Sequence, residues 1–377
     1  MIGDRDDQPS SRAGASAPPS AGGAAAAASA GAGAVGGAGR GSAGDDPGRV
    51  PPDPSDAGTA GAAASLDAAI VEPADAAVPA ADGLVPVFLA MGYGTRRIVS
   101  CDFGLSWVND EADVANGGDD GYLVRGLAAG QNVFVAAVGG GGTQKLFSSD
   151  DGVTFTRFDR GGNGFSDVSF GLGRFVAGGG HASVISFDGY AFEQPGAMGD
   201  GGILRHLAFG DYDGGRFVAV GDNGRRMNSR DGVSWGAQLE EGPGLQGVAY
   251  GNGAFVAISG GAETRYSLDG GAGWQAGNID GAQGVRGILF DGARFIVTSG
   301  GDAFTSEDGR AWTRRAATSG PGRFDVSDDR LHYAGAQGGD LFHSSDGLQW
   351  TRVKQGGQAL ERVKFARVKP SPVCPAP

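Results

Sequence analysis

From about residue 84 to residue 368 the chain is a succession of short apolar runs separated by turns rich in Gly, Asn and Asp. The stretch LQGVAYGNGAFVAISGGAETRYSLDGGAGW, Leu245 to Trp274, is representative. A run ending at Tyr250 meets a Gly-Asn-Gly turn, and AFVAIS from Ala254 is followed by a glycine-rich turn. A third run ends at Ser267, and Trp274 opens a fourth. Runs of this length, rich in β-branched and aromatic residues and punctuated by glycine, predict strands joined as hairpins. The unit is a four-stranded antiparallel meander, and no amphipathic helical stretch of useful length interrupts the series.

The meander repeats. A phrase of the form Ser-x-Asp-(x)-Gly-x-x-Trp/Phe occurs seven times, as SCDFGLSW from Ser100, SSDDGVTF from Ser148, SFDGYAF from Ser186, SRDGVSW from Ser229, SLDGGAGW from Ser267, SEDGRAW from Ser306 and SSDGLQW from Ser344. The shared aspartates are Asp102, Asp150, Asp188, Asp231, Asp269, Asp308 and Asp346, 38 to 48 residues apart, which is the period of propeller blades. All five tryptophans fall inside these copies. A carboxylate here accepts hydrogen bonds from backbone N–H groups of its own turn, glycine supplies positive φ, and the aromatic starts the next strand and packs between sheets.

The phrase resembles the Asp-box (BNR-type) repeat of sialidases, sortilin-type receptors, tandem-propeller xyloglucanases and photosystem II assembly factors. The Ser100 and Ser148 copies fit the full pattern, four others lack one residue before Gly, and the Ser267 copy has Gly273 in place of Ser or Thr. The resemblance implies an all-β fold, a single seven-bladed propeller of four-stranded antiparallel blades over residues 83–368, with the boxes as architecture. The first copy lacks a first strand, and Glu361–Arg367 reads as a first strand without a remainder. Adding it to blade one closes the ring and removes exposed edges. Cys101 lies in blade one and Cys374 just after the closing strand. Paired, they would clasp the ring and imply an oxidising compartment; the alternative is two unrelated thiols.

Residues 1–82 are Ala, Gly, Pro, Ser and Asp with few large apolar side chains, the composition of a disordered tether. Such spacers resemble those of bacterial surface lipoproteins. MIGDRDDQPSS is neither a basic n-region nor an apolar h-region, so a signal or lipid anchor is expected outside this sequence. Residues 369–377 form a C-terminal tail. A net charge of −13 argues against nucleic-acid binding. No run is long and apolar enough to span a membrane. The expected setting is extracellular, cell-surface or periplasmic, for a monomer.

Propeller ligands bind at the channel mouth, opposite the boxes. Aligning the seven first strands places Arg125, Ser166, Arg205, Gln246, Arg286, Arg323 and Glu361 at one position. Four arginines in an acidic protein make a funnel suited to carboxylate, sulfate or phosphate. The other reading is that they only pair with neighbouring blades. Turns between second and third strands add Tyr93, Arg96, Lys145, His181, Asp222, Arg225, Glu263, Arg265, Asp302 and Asp340.

A sialidase-like hydrolase would draw on these arginines with Tyr93 or Tyr266 and Glu263, but the Phe/Tyr-Arg-Ile-Pro signature is missing and TRRIVS at Thr95 is a partial echo. His181, His206, His332 and His343 lack metal spacing, GDYDGG and GGDD lack spaced calcium ligands, and GGGG at Gly139 has no Lys-Ser/Thr pair. No cofactor or metal is expected. The expected function is a non-catalytic recognition or assembly module for a protein or an anionic glycan; a sialidase-like enzyme and a purely structural scaffold are the alternatives.

Overall fold

Each glycine-punctuated run becomes a strand in the computed structural model, which describes residues 83–112, 123–140, 143–161, 164–299, 301–317 and 320–377. The expected tether lies outside the described residues. Blade 1 contains β1 (Val85–Gly92), β2 (Arg97–Ser100) and β3 (Val108–Glu111). Blade 2 contains β4 (Leu123–Gly130), β5 (Val133–Gly140), β6 (Thr143–Ser149) and β7 (Thr156–Gly161). Blade 3 contains β8 (Asp167–Gly171), β9 (Arg174–Gly179), β10 (Ala182–Ser186) and β11 (Glu193–Ala197). Blade 4 contains β12 (Leu204–Gly210), β13 (Arg216–Gly221), β14 (Arg225–Ser229) and β15 (Trp235–Glu240). Blade 5 contains β16 (Leu245–Gly251), β17 (Ala254–Ser259), β18 (Glu263–Ser267) and β19 (Gln275–Asn278). Blade 6 contains β20 (Val285–Phe290), β21 (Phe295–Ser299), β22 (Asp302–Ser306) and β23 (Thr313–Ala316). Blade 7 contains β24 (Arg323–Val326), β25 (Tyr333–Gln337), β26 (Asp340–Ser344) and β27 (Thr351–Lys354).

The last strand, β28 (Leu360–Val368), pairs antiparallel with β1 from Val85 opposite Val368 to Gly92 opposite Leu360. It supplies the inner strand that blade 1 lacks, so every sheet has four antiparallel strands and the seven blades close. The inner strands β28, β4, β8, β12, β16, β20 and β24 follow one another side by side and return to β28.

The second strand of each blade is apolar on both faces because both faces meet a neighbour. In β17, Phe255 and Ala257 pack with Val218 and Val220 of blade 4, whereas Ala254 and Val256 pack with Phe295 of blade 6. Alternation along the strand therefore distributes side chains between two cores and leaves none for solvent. Inner strands lock by a different device. The rings of Phe170, Phe209, Tyr250 and Phe290 lie over Gly130, Gly171, Gly210 and Gly251 of the preceding blade. A Cβ at Gly171 would fall 2.1 Å from the Phe209 ring.

Each Ser-Asp turn closes on itself. In blade 4, Ser229 Oγ donates to Asp231 Oδ1 at 2.9 Å and accepts from Gly232 N at 2.8 Å. The same Oδ1 accepts from Val233 N at 2.8 Å and Ser234 N at 2.7 Å. Gly232 has φ +75°, and Trp235 Nε1 donates to its carbonyl at 3.2 Å. In blade 2 the turn is built one residue later than the sequence pattern suggests. Ser149 and Asp151 make these bonds, with Asp151 Oδ1 accepting from Val153 N and Thr154 N at 2.7 Å each. Asp150 is thus not the turn carboxylate: it faces the C-terminal tail, where Lys369 Nζ lies 2.5 Å from its Oδ2. The sequence contains two overlapping Ser/Asp pairs, and the shorter Ser-x-Asp-Gly spacing wins.

Hydrogen bonding holds six of these carboxyls, Asp102, Asp151, Asp188, Asp231, Asp308 and Asp346, below their ordinary value. At Asp308 burial opposes ionisation, but the N–H groups of Ala311 and Arg310 and the hydroxyl of Ser306 outweigh it and set the pKa at about 2, against an ordinary 3.8. A carboxyl depressed on folding stabilises the fold above its unfolded pKa, and that contribution disappears as pH falls through the folded value. The urea midpoint is therefore expected to hold near neutrality and to drop between about pH 4 and about pH 2, with a shallower drop in Asp308→Asn. A midpoint unchanged across that window would show that the turns are not the acid-labile element.

Cys101, at the end of β2, and Cys374, six residues beyond β28, are joined by a disulfide with Cα atoms 5.4 Å apart. The tail between β28 and Cys374 is also tied by Lys369 N to the Asp150 carbonyl at 2.7 Å and Ser371 N to the Cys374 carbonyl at 2.9 Å.

Candidate functional site

Five inner strands carry one extra residue against their neighbour, with register shifts that skip Glu361, Arg125, Arg205, Gln246 and Arg286. A bulge leaves the additional residue out of the ladder and re-aims its side chain. The repeat position read from sequence is therefore a structural device that turns side chains toward the channel mouth. Arg125, Ser166, Arg205, Gln246, Arg323 and Glu361 line one cavity of about 340 Å³, together with His206, Asp222 and Arg362. Arg286 is not among them. It lines a separate cavity of about 270 Å³ with Gln283, Thr298 and Ser299, while Arg323 Nη1 donates to its carbonyl.

The arginines are not equivalent. Arg205 is neutralised by Asp222, Nε to Oδ1 at 2.8 Å and Nη2 to Oδ2 at 2.7 Å. Arg125 Nε donates to the Gly139 carbonyl at 3.0 Å. Most of the turn residues considered for recognition are likewise engaged within the fold. Arg96 is buried against Asp110, Arg225 is buried and donates to the carbonyls of Met198, Gly199 and Gly202, and Asp302 and Asp340 pair with Arg314 and Arg352.

Three residues that the sequence reading did not select form the neck below the mouth: Asp167, His206 and Arg362, each one position after a ring residue. Their counterparts in blades 2, 5 and 6 are Gly126, Gly247 and Gly287. That contrast of polar residues with glycine was the available signal. Asp167 Oδ1 accepts from Val168 N and its Oδ2 from Leu207 N of the next blade, both at 2.9 Å. His206 Nδ1 lies 3.5 Å from Asp167 Oδ2. Burial pushes the His206 imidazole down to about 4, against the pull of Asp167, so it is neutral near pH 7. Burial also lowers the Arg362 guanidinium, and burial with the neighbouring Arg362 lowers Arg323 to about 10.

His206, Arg323 and Arg362 also belong to the wall of a second cavity of about 350 Å³ deeper in the channel. Val168, Leu207, Val248 and Ile288 lie along its walls with Ser169 and Lys364, up to the aromatic level of Phe209, Tyr250 and Phe290, and the surface it exposes is more polar than apolar. Elsewhere, His332 Nδ1 and His343 Nε2 approach to 3.3 Å, so two histidines distant from any metal spacing in sequence meet between β25 and β26. Among the described residues no group of three or more His, Cys, Asp and Glu is placed to hold a metal ion. No helix among them is long and apolar enough to cross a membrane.

No protein-family model matches this chain, and no curated protein matches it. Solved structures do. A provisionally assigned 6-phosphogluconolactonase from Bacteroides fragilis NCTC 9343 superposes with a TM-score of 0.55 at 12% identity, covering 77% of this chain and all of that one. The WD40 β-propeller domain of Doa1 gives 0.50 at 13% identity, over 63% of this chain and 85% of that one. YCF48 bound to D1 peptide gives 0.48 at 17% identity, over 66% and 92%. At such identities the first two likenesses speak for the propeller fold alone.

Proposed function

We propose that this chain is a non-catalytic recognition or assembly module of the Asp-box propeller class, whose channel-mouth arginines bind the acidic groups of a protein or an anionic glycan. The observation that carries this reading is the convergence on one mouth cavity of Arg125 and Arg205, brought there at strand bulges, and of Arg323. Guanidinium groups match carboxylate and sulfate geometry, and clustered cations speed encounter with acidic partners. A sialidase-like arrangement is less well supported: among the described residues lining the mouth there is no tyrosine, and Tyr266 Oη donates to Gln275 on β19 at 2.7 Å. The Cys101–Cys374 disulfide fits export to an oxidising compartment, with residues 1–82 as the tether to a surface anchor.

The test is binding of the full chain to acidic glycans, neutral glycans and acidic peptides at two salt concentrations, beside an Arg125→Gln/Arg205→Gln/Arg323→Gln variant. Salt-sensitive binding to acidic ligands, lost by the variant, is the expected result. Equal binding by the variant, or a preference for neutral ligands, would remove the mouth as the recognition site.

A further inference from the structure

Two histidines of blade 7 point ring nitrogens at each other. His332 Nδ1 and His343 Nε2 are 3.3 Å apart, with ring centroids 5.6 Å apart and planes inclined by 42°. They lie on the side of the blade that carries the Ser-Asp turns, away from the channel mouth. His332 ends the turn between β24 and β25, and His343 stands on β26 opposite Ala334.

Both rings are held in place. The His332 N–H donates to Ser327 Oγ at 3.1 Å, and its carbonyl accepts from Ser327 N at 2.8 Å. Its ring stacks on Phe103 of blade 1, with centroids 4.8 Å apart. His343 lies over Gly104, where a Cβ would come within 3.6 Å of its Cδ2. Burial and the neighbouring His332 lower the His343 imidazole, so it is neutral near pH 7.

A neutral imidazole has one hydrogen for two nitrogens. With the hydrogens on the outer nitrogens, His332 Nε2 and His343 Nδ1, the inner two present lone pairs to the same space. Their separation is at the long end for a hydrogen bond. It matches two nitrogens on one tetrahedral ion, which lie about 3.3–3.4 Å apart when each metal–nitrogen bond is about 2.0–2.1 Å. The electrostatics suit a cation. Asp102 of blade 1, kept ionised against its partial burial by hydrogen bonds from Ser106 and Ser100, acts on His343 in the direction that favours positive charge.

We propose that His332 and His343 form a binding site for one divalent transition-metal ion of the copper or zinc type, with two protein nitrogens as ligands and the remaining positions open to water. Imidazole pairs select such ions over magnesium and calcium, which prefer oxygen. The two histidines are 11 positions apart in the chain, and the hairpin of β25 and β26 brings them together. The ion ties the turn before β25 to β26, beside the seam where blade 7 meets blade 1.

The test uses the full chain without a histidine tag, with copper(II), zinc(II) and magnesium ions as probes. Calorimetry is expected to show one equivalent of copper or zinc and no magnesium, and the melting temperature should rise with copper or zinc concentration. The electron paramagnetic resonance spectrum of the copper-loaded chain should show two coordinated nitrogens. His332→Ala and His343→Ala should each weaken copper at least about tenfold, whereas His181→Ala should leave it unchanged. Binding should fade as pH falls from about 7 to about 5, because protons compete for the imidazoles. No saturable binding, a spectrum with one nitrogen or none, or equal affinity in the unaltered, His332→Ala and His343→Ala chains would overturn the site and leave a hydrogen-bonded pair. The spectrum is read on the unaltered chain, so it decides even where a variant fails to fold. Binding of acidic ligands at the mouth is a separate matter and bears on neither histidine.

Discussion

Cys101→Ser is expected to lower stability by roughly 5 kcal/mol, because the bond closes a loop of 273 residues and thereby restricts the unfolded chain. At an unfolding entropy of about 2.1 cal/mol/K per residue, a propeller of this size would melt roughly 8 °C lower. The bond has a second consequence that a cross-link elsewhere would lack. β28 is the inner strand of blade 1 but comes from the far end of the sequence, so its pairing with β1 costs the most loop closure of any ladder. The disulfide keeps that strand near its partner. Reduction of the unaltered chain should reproduce the Cys101→Ser melting temperature, and amide exchange should accelerate first over residues 360–368. A reduced protein that melts at the oxidised temperature would show that β28 needs no clasp.

Gly171→Ala is expected to destabilise the fold by about 3 kcal/mol, toward the upper end of overpacking costs, although the change is one methyl group. The Cβ would sit 2.1 Å from the Phe209 ring, and that ring is itself confined by Phe217, 5.1 Å away between centroids. Neither the backbone nor the ring has room to move without opening the contact between blades 3 and 4. Gly210→Ala, against Tyr250, should behave alike, since its Cβ would fall 2.3 Å from that ring. The mechanism predicts non-additivity: Phe209→Ala also costs stability, but combined with Gly171→Ala it should cost less than the sum, because the clash vanishes with the ring. Urea denaturation of the four proteins gives the coupling. A neutral Gly171→Ala, or strict additivity, would mean that the glycines serve only to bend the strand ends.

The blade count, the four-stranded meander, the closing role of Glu361–Arg367 and the turn chemistry were legible in the sequence because each is local or repeated. A strand period is written in neighbouring residues, and seven copies of one turn fix the spacing of the sheets. The same repeat logic aligned Arg125, Arg205, Gln246, Arg323 and Glu361 without showing that β-bulges re-aim Arg125, Arg205, Gln246 and Glu361. It was less able to choose between overlapping patterns, and so placed the blade 2 turn at Asp150 where Asp151 makes the bonds.

What only the tertiary structure decided is which equivalent residues share an environment. Arg205 and Arg323 share a position in the repeat, yet one is paired with Asp222 and the other is buried among Arg362, Glu361 and Asp167, because partners come from different turns and different blades. Arg286 shares it too and lines another cavity. The neck of Asp167, His206 and Arg362 and the cavity behind it exist only where the inner strands converge, and a sequence read one blade at a time has no term for that convergence. Repetition encodes the ring, and the departures from repetition are brought together at its axis as the candidate site.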